Sequence, residues 1–135
     1  MADSTTAELA PAAPLRFFYH GGLPGRGEFV RMVLEDGGVA YVDLVRDEGL
    51  DGGEVRLACS AFSPRPVPLE TARPFAPPFI ELPDGTRISQ TANLMLFVAE
   101  SCGLAPEERV GKARLLGLLL FVMDVVAEVH DLSDT

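Results

Sequence analysis

The residues best suited to chemistry cluster between Phe75 and Asn93. Ser89-Gln90-Thr91 stands where a helix should begin. A helix start offers free backbone N–H groups and the positive end of a dipole. Hydroxyls beside them make a pocket suited to an anion, a carboxylate above all. Thr91 can equally serve as a plain helix cap, a routine use of that residue type. Upstream, Pro77-Pro78 stands directly before a strand. A proline is tolerated at that first position, where its missing N–H costs no ladder bond. An X-Pro bond can also be cis where a fold requires it.

These residues need a scaffold, and the pattern supplies one. Phe79 to Leu82 is a short apolar-rich strand. Pro83-Asp84-Gly85 predicts a tight turn: proline pre-sets φ, aspartate bonds its own backbone, and glycine accepts positive φ. Thr86 to Ser89 returns as the second strand of a hairpin. A helix then starts near Gln90–Thr91, buries Leu94, Leu96, Phe97 and Val98, and stops at Gly103. Earlier in the chain, Leu15 to Tyr19 reads as a strand and Gly21 to Gly25 as a loop. Arg26 to Asp36 reads as a helix with Phe29, Val30, Val33 and Leu34 on one face, and Gly37-Gly38 stops it. Val39 to Val45 reads as a strand that closes a βαβ unit, so it should run parallel to the first.

Glu54 to Phe62 predicts one or two helical turns, and Ser63 to Pro74 is a loop with four prolines. The order β-α-β-α-β-β-α is thioredoxin-like and belongs to the α/β class. After Gly103 the character changes. Pro106, Glu107 and Glu108 suit a helix start. From Lys112 to His130 the helical pattern is apolar nearly all round, which predicts a place inside a bundle or an interface. Met1 to Pro14 is rich in Ala, Pro, Ser and Thr and reads as a disordered tail.

At 135 residues the chain can bury a real core, and 47% hydrophobic content is globular. A net charge of −9 argues against nucleic acid and anionic membranes as partners. It leaves room for a small anionic ligand, which responds to local groups. Leu115 to Met123 is nine residues long, far short of the ~20 that cross a bilayer. Met1 to Pro14 lacks the basic and apolar regions of a secretory signal. Cys59 and Cys102 form no C-x-x-C pair and read as two reduced intracellular thiols. No spacing suggests a metal site or a Ser-His-Asp triad.

The stretch around Pro78 and Gln90-Thr91 resembles the glutathione transferase family. There a thioredoxin-like domain carries a cis-proline before its third strand, and Gln-Ser or Gln-Thr opens its third helix. The resemblance implies that Gln90 and Thr91 hold the γ-glutamyl carboxylate of glutathione. Tyr19-His20-Gly21-Gly22-Leu23-Pro24-Gly25-Arg26-Gly27-Glu28 is similar to the family's Tyr-x-x-x-x-Gly-Arg-x-Glu signature. This implies that the Tyr19 hydroxyl donates to the glutathione sulfur while Arg26 adds positive charge. An unperturbed thiol titrates near ~8.5, and a donor plus a cation lower that value. The loop holds one residue more than the commonest family spacing, so a strict count from Glu28 puts His20 on the catalytic position. Gly21-Gly22 can absorb the extra residue, which favours Tyr19. Taken singly, Tyr19 reads as a packing residue, His20 as a solvated loop residue and Arg26 as a surface charge.

The family residue at Pro77 offers both N–H and C=O to glutathione, and Pro77 offers only its carbonyl. The missing bond is worth about 0.5–1.5 kcal/mol. The resemblance divides the chain into a tail (1–14), a thioredoxin-like glutathione-binding domain (15–104) and the start of an incomplete all-α domain (105–135). It covers residues 15 to 131 and a little over half of a usual family member. It implies a cytoplasmic homodimer that uses glutathione as co-substrate against a small electrophile, without a metal. Asp124 and His130 would face the electrophile pocket or sit at core edges of a buried helix. The competing expectation is an inactive transferase-like module that binds partners or dimerises, because the last helix has no cover. A disulfide reductase is disfavoured, since no cysteine follows the first strand.

Overall fold

The computed structural model describes residues 13–66, 68 and 72–133. Most of the expected tail, and residues 67 and 69–71 of the proline loop, lie outside the described residues. β1 (Leu15–Phe18) leads to α1 (Gly25–Asp36), and the chain returns as β2 (Tyr41–Asp43). Two short helices follow, α2 (Leu44–Glu48) and α3 (Gly52–Leu57), then a 3₁₀ turn at Ser60–Phe62. β3 (Phe79–Glu81) and β4 (Arg87–Ser89) form the hairpin, α4 (Thr91–Ser101) follows, and α5 (Arg109–Ser133) is the last element described.

The sheet order is β2-β1-β3-β4. β1 and β2 are parallel, as the βαβ reading requires; β3 runs antiparallel to both β1 and β4. This is the expected thioredoxin-like order. The hairpin turn is built as its residues dictate: Asp84 Oδ1 accepts from the Thr86 N–H at 2.9 Å, and Gly85 has φ 90°.

Alternation along the strands divides the core into two layers. Leu15, Phe17 and Tyr19 pack with Ile80 against Val30 and Leu34 of α1 and Leu94, Met95 and Val98 of α4. Phe18 and Phe79 point to the other face, stacked with ring centroids 4.5 Å apart. Leu44, Val55 and Cys59 cover them there.

The second strand is shorter than its apolar run predicts. Val39 to Val45 was expected as strand, yet only Tyr41–Asp43 pairs, and Leu44 and Val45 begin α2. Asp43 is the cause. Its carboxylate caps α2 by accepting from the Arg46 N–H at 3.2 Å, and Gly49 closes that helix in the left-handed region at φ 71°. The same carboxylate accepts from Arg31 Nε on α1 at 2.8 Å, and both side chains are buried. The last helix also departs from expectation. It runs further, from Arg109 to Ser133; that none of its residues is buried agrees with the expected lack of cover within this chain. Among the described residues, no helix is long and apolar enough to cross a membrane.

The Arg31–Asp43 pair gives a stability test. Asp43→Ala leaves a buried guanidinium uncompensated and should lower unfolding stability by about 3–5 kcal/mol in a urea titration. Adding Arg31→Met should recover part of that loss. A single-variant loss below about 1 kcal/mol would place the pair outside the set of costly buried ion pairs.

Candidate functional site at the sheet end

Strand register brings the expected site residues to one end of the sheet. Phe18 lies opposite Phe79, and Phe79 lies opposite Ser89. One step beyond these partners stand Tyr19, Pro78 and Gln90, side by side across three strands. The Pro77-Pro78 bond is cis, and Pro78 is buried while Pro77 is half-buried. Thr91 is buried as the first residue of α4.

The corner between β4 and α4 is strained. Gln90 has φ 75° and ψ 120°, a conformation that a side-chain-bearing residue rarely adopts. Its carbonyl accepts the first α4 bond from the Leu94 N–H at 2.8 Å, and its side chain is exposed. No side chain caps this helix start, so Thr91 does not make the bond of a plain cap. Nearby, Asn93 Nδ2 donates to the Ser89 carbonyl at 3.1 Å, which holds the end of β4.

Tyr19 and Arg26 meet through the backbone. The Tyr19 hydroxyl accepts from the Arg26 N–H at 2.9 Å, at the start of α1. Among the described residues nothing accepts the phenol's own proton. The ring is buried beneath α1, and the helix admits it through two glycines. A Cβ on Gly25 or Gly27 would overlap the Tyr19 hydroxyl or ring. The Arg26 side chain is half-buried and makes no ion pair among the described residues. His20 lies beyond the strand, its ring 5.0 Å from that of Tyr19. Burial, and then the charge of Arg56, push the His20 imidazole below its usual value.

Two residues near this end escaped sequence reasoning. Arg31 places its guanidinium 5.7 Å from the Tyr19 ring centroid and 5.0 Å from that of Phe17. Arg56, on α3, is the cation that acts on His20. A Glu-x-x-Arg spacing, Glu28 to Arg31, was the available signal for the first. Burial on the α1 face distinguishes it from a surface charge.

A separate cleft of about 820 Å³ opens between α1, α4 and α5. Arg31, Met32, Met95, Leu115 and Leu119 line it; Tyr19, Pro77, Pro78, Gln90 and Thr91 do not. Asp124 and His130 do not line it either. Both are exposed on α5, so their placement at core edges of a buried helix is corrected: α5 contributes no buried residue. Among the described residues, no group of three or more His, Cys, Asp or Glu is placed to hold a metal ion.

Together these features define a glutathione-transferase-like fold: a thioredoxin-like α/β domain followed by a helix. One solved structure with this likeness is the crystal structure of a major nematode-specific GST of C. elegans. The TM-score is 0.57 at 21% identity, over 87% of this chain and 50% of that one. This chain thus spans half the length of its structural neighbour. No protein-family model matches the sequence, and no curated protein matches it.

Two tests follow from this geometry. Gln90→Gly relieves backbone strain of about 1–3 kcal/mol and adds about 0.5–1 kcal/mol of chain entropy to lose. Urea unfolding should therefore show a net gain of about 1 kcal/mol. A loss would mean that the Gln90 side chain stabilises the fold by more than the strain costs.

The second concerns His20. Its neutral form is favoured in the folded state, so below the usual 6.5 the unfolded chain takes up a proton first. Stability should fall as pH drops from 6.5 toward the lowered folded-state value. His20→Asn should remove that slope, and identical slopes in both proteins would refute it.

Proposed function

We propose that this chain binds glutathione at the end of the sheet and activates its thiol, as a glutathione transferase or a fragment of one. One observation supports this: Tyr19, Pro78 and Gln90 each stand one residue past the paired ends of adjacent strands, with Thr91 at the helix start. The γ-glutamyl carboxylate would take the N–H groups and hydroxyl at Gln90-Thr91. The Pro77 carbonyl would accept from the cysteinyl N–H. The sulfur would lie toward Tyr19. The thiol proton leaves to solvent, and the Tyr19 hydroxyl donates to the remaining thiolate. Accepting from the Arg26 N–H makes that hydroxyl a better donor. The Arg26 charge favours the thiolate further. The sulfur lone pair then forms a bond to an electrophilic carbon, which gives up a leaving group or a π pair. Further parts of this reading are a homodimer, a small electrophile and a cytoplasmic setting in which Cys59 and Cys102 stay reduced.

A second reading has its own support. None of the residues of α5 is buried, and Leu118 and Phe121 are each 64% exposed. An inactive transferase-like module that works by association would have such a face.

Calorimetry with glutathione separates the two. The wild-type chain should bind, and Thr91→Ala should weaken binding about ten-fold, the value of a hydrogen bond to a charged group. Tyr19→Phe should change affinity little and raise the pKa of the bound thiol, read by thiolate absorbance. A folded chain that binds no glutathione refutes the transferase reading.

A further inference from the structure

We propose that the cleft between α1, α4 and α5 is a second binding site, whose ligand is an organic cation joined through a carbonyl group to an apolar tail. The site is independent of the glutathione reading, since Tyr19, Pro78, Gln90 and Thr91 do not line it. Its volume of about 820 Å³ falls in the range of small-molecule sites, roughly 300–1,000 Å³. The apolar part of the lining includes buried Met95 of α4 and half-buried Leu115 and Leu119 of α5. Thioether and aliphatic side chains adapt their shape and suit an aliphatic tail.

Charge selects the head group. Asp43 neutralises Arg31, and Glu28 and Arg46, both in the lining, lie 3.8 Å apart and offset each other. Glu35 and Asp36 also line the cleft, in the last turn of α1, and make no ion pair among the described residues. Two carboxylates thus stand uncompensated at the negative end of the α1 dipole. Tyr41 adds an aromatic ring to the same lining, and its hydroxyl donates to Glu35 Oε1 at 2.7 Å. Burial, and then that bond, push the Tyr41 phenol up to about 12, so it keeps its proton at neutral pH. Carboxylates beside an aromatic face recognise an alkylated ammonium. The same carboxylates repel fatty acids and other anionic amphiphiles.

Arg31 selects the group between head and tail. It lines the cleft at 4% exposure, and its Nη2 has no hydrogen-bond partner among the described residues. A buried donor left unpaired is costly, so a ligand oxygen that accepts from it supplies what the fold lacks. Because Asp43 already balances the guanidinium, that oxygen belongs to a neutral carbonyl rather than a carboxylate.

Calorimetry on the full chain tests this with decanoylcholine, decyltrimethylammonium and decanoate, each kept below its micelle concentration. Decanoylcholine should bind once per chain and more weakly with added salt. Decyltrimethylammonium lacks the carbonyl and should bind about ten-fold more weakly. That comparison removes the acceptor from the ligand and leaves the Arg31–Asp43 pair intact. Decanoate should not bind. Glu35→Gln combined with Asp36→Asn changes two exposed positions, and circular dichroism checks the fold. The double variant should weaken decanoylcholine binding about five-fold or more. Glutathione in excess should leave the affinity unchanged. No saturable decanoylcholine binding, or several molecules per chain, overturns the inference. Decanoate binding as tightly as the cations also overturns it, and marks a bare apolar groove that a partner helix would cover equally well. Equal affinities for the two cations, an unaffected double variant or competition by glutathione each overturn it too. Titration of glutathione alone into the same samples reads the functional proposal separately.

Discussion

One buried charge, the Asp43 carboxylate, ties three parts of the fold together. It ends β2, caps α2 and accepts from Arg31 of α1. Burying two ions is costly, and their attraction repays this only when other groups satisfy them. Here the Asp43 oxygens are used by Arg31 Nε and the Arg46 N–H, and Glu28 lies 3.4 Å from Arg31 Nη1. Arg31 Nη2 has no hydrogen-bond partner among the described residues. The guanidinium instead lies near the rings of Phe17 and Tyr19, where cation–π attraction offsets part of the desolvation. The pair therefore does more than join α1 to β2. It fixes the ring against which the start of α1 is built.

From that point the candidate site follows by backbone geometry. Tyr19 shares the α1 face with Leu15 and Phe17 because strand side chains alternate. His20, one residue further, has left the strand and falls under the influence of Arg56 instead. It is Tyr19, not His20, whose side chain bonds the first turn of α1. The loop from His20 to Gly25 turns at Gly22, which has φ 80°. Glycine reaches that left-handed angle without steric cost.

Sequence order made much of this visible. The hairpin was legible because Pro83, Asp84 and Gly85 each have one strong turn preference. The parallel pairing of β1 and β2 was legible from the length of the crossover. Both are local or topological rules. The end of β2 was not legible, because Val39 to Val45 has a good strand pattern. What stops the strand is Asp43, held in place by a partner twelve residues away. The surroundings of α5 were not legible either. Hydrophobic periodicity says how much apolar surface a helix carries, and nothing about what covers it. A nearly all-round pattern pointed to a bundle or an interface, and within this chain none of the helix's residues is buried. Arg31 was missed for the converse reason: a charged residue on a helix reads as solvated until its burial is known.

Gln90 concentrates the remaining cost in one residue. On one side, Ser89 is fixed opposite Phe79 by the hairpin. On the other, the Gln90 carbonyl already accepts the first bond of α4. The chain must turn from strand to helix within the residue between these commitments, and only an unusual φ achieves it. Relaxing Gln90 would sacrifice either the last rung of β4 or the first bond of the helix. Each is worth about 0.5–1.5 kcal/mol, the same order as the strain itself. The strained corner therefore persists because both neighbours hold it. The result is positional: α4 begins at Thr91, directly after the residue that strand register sets beside Pro78.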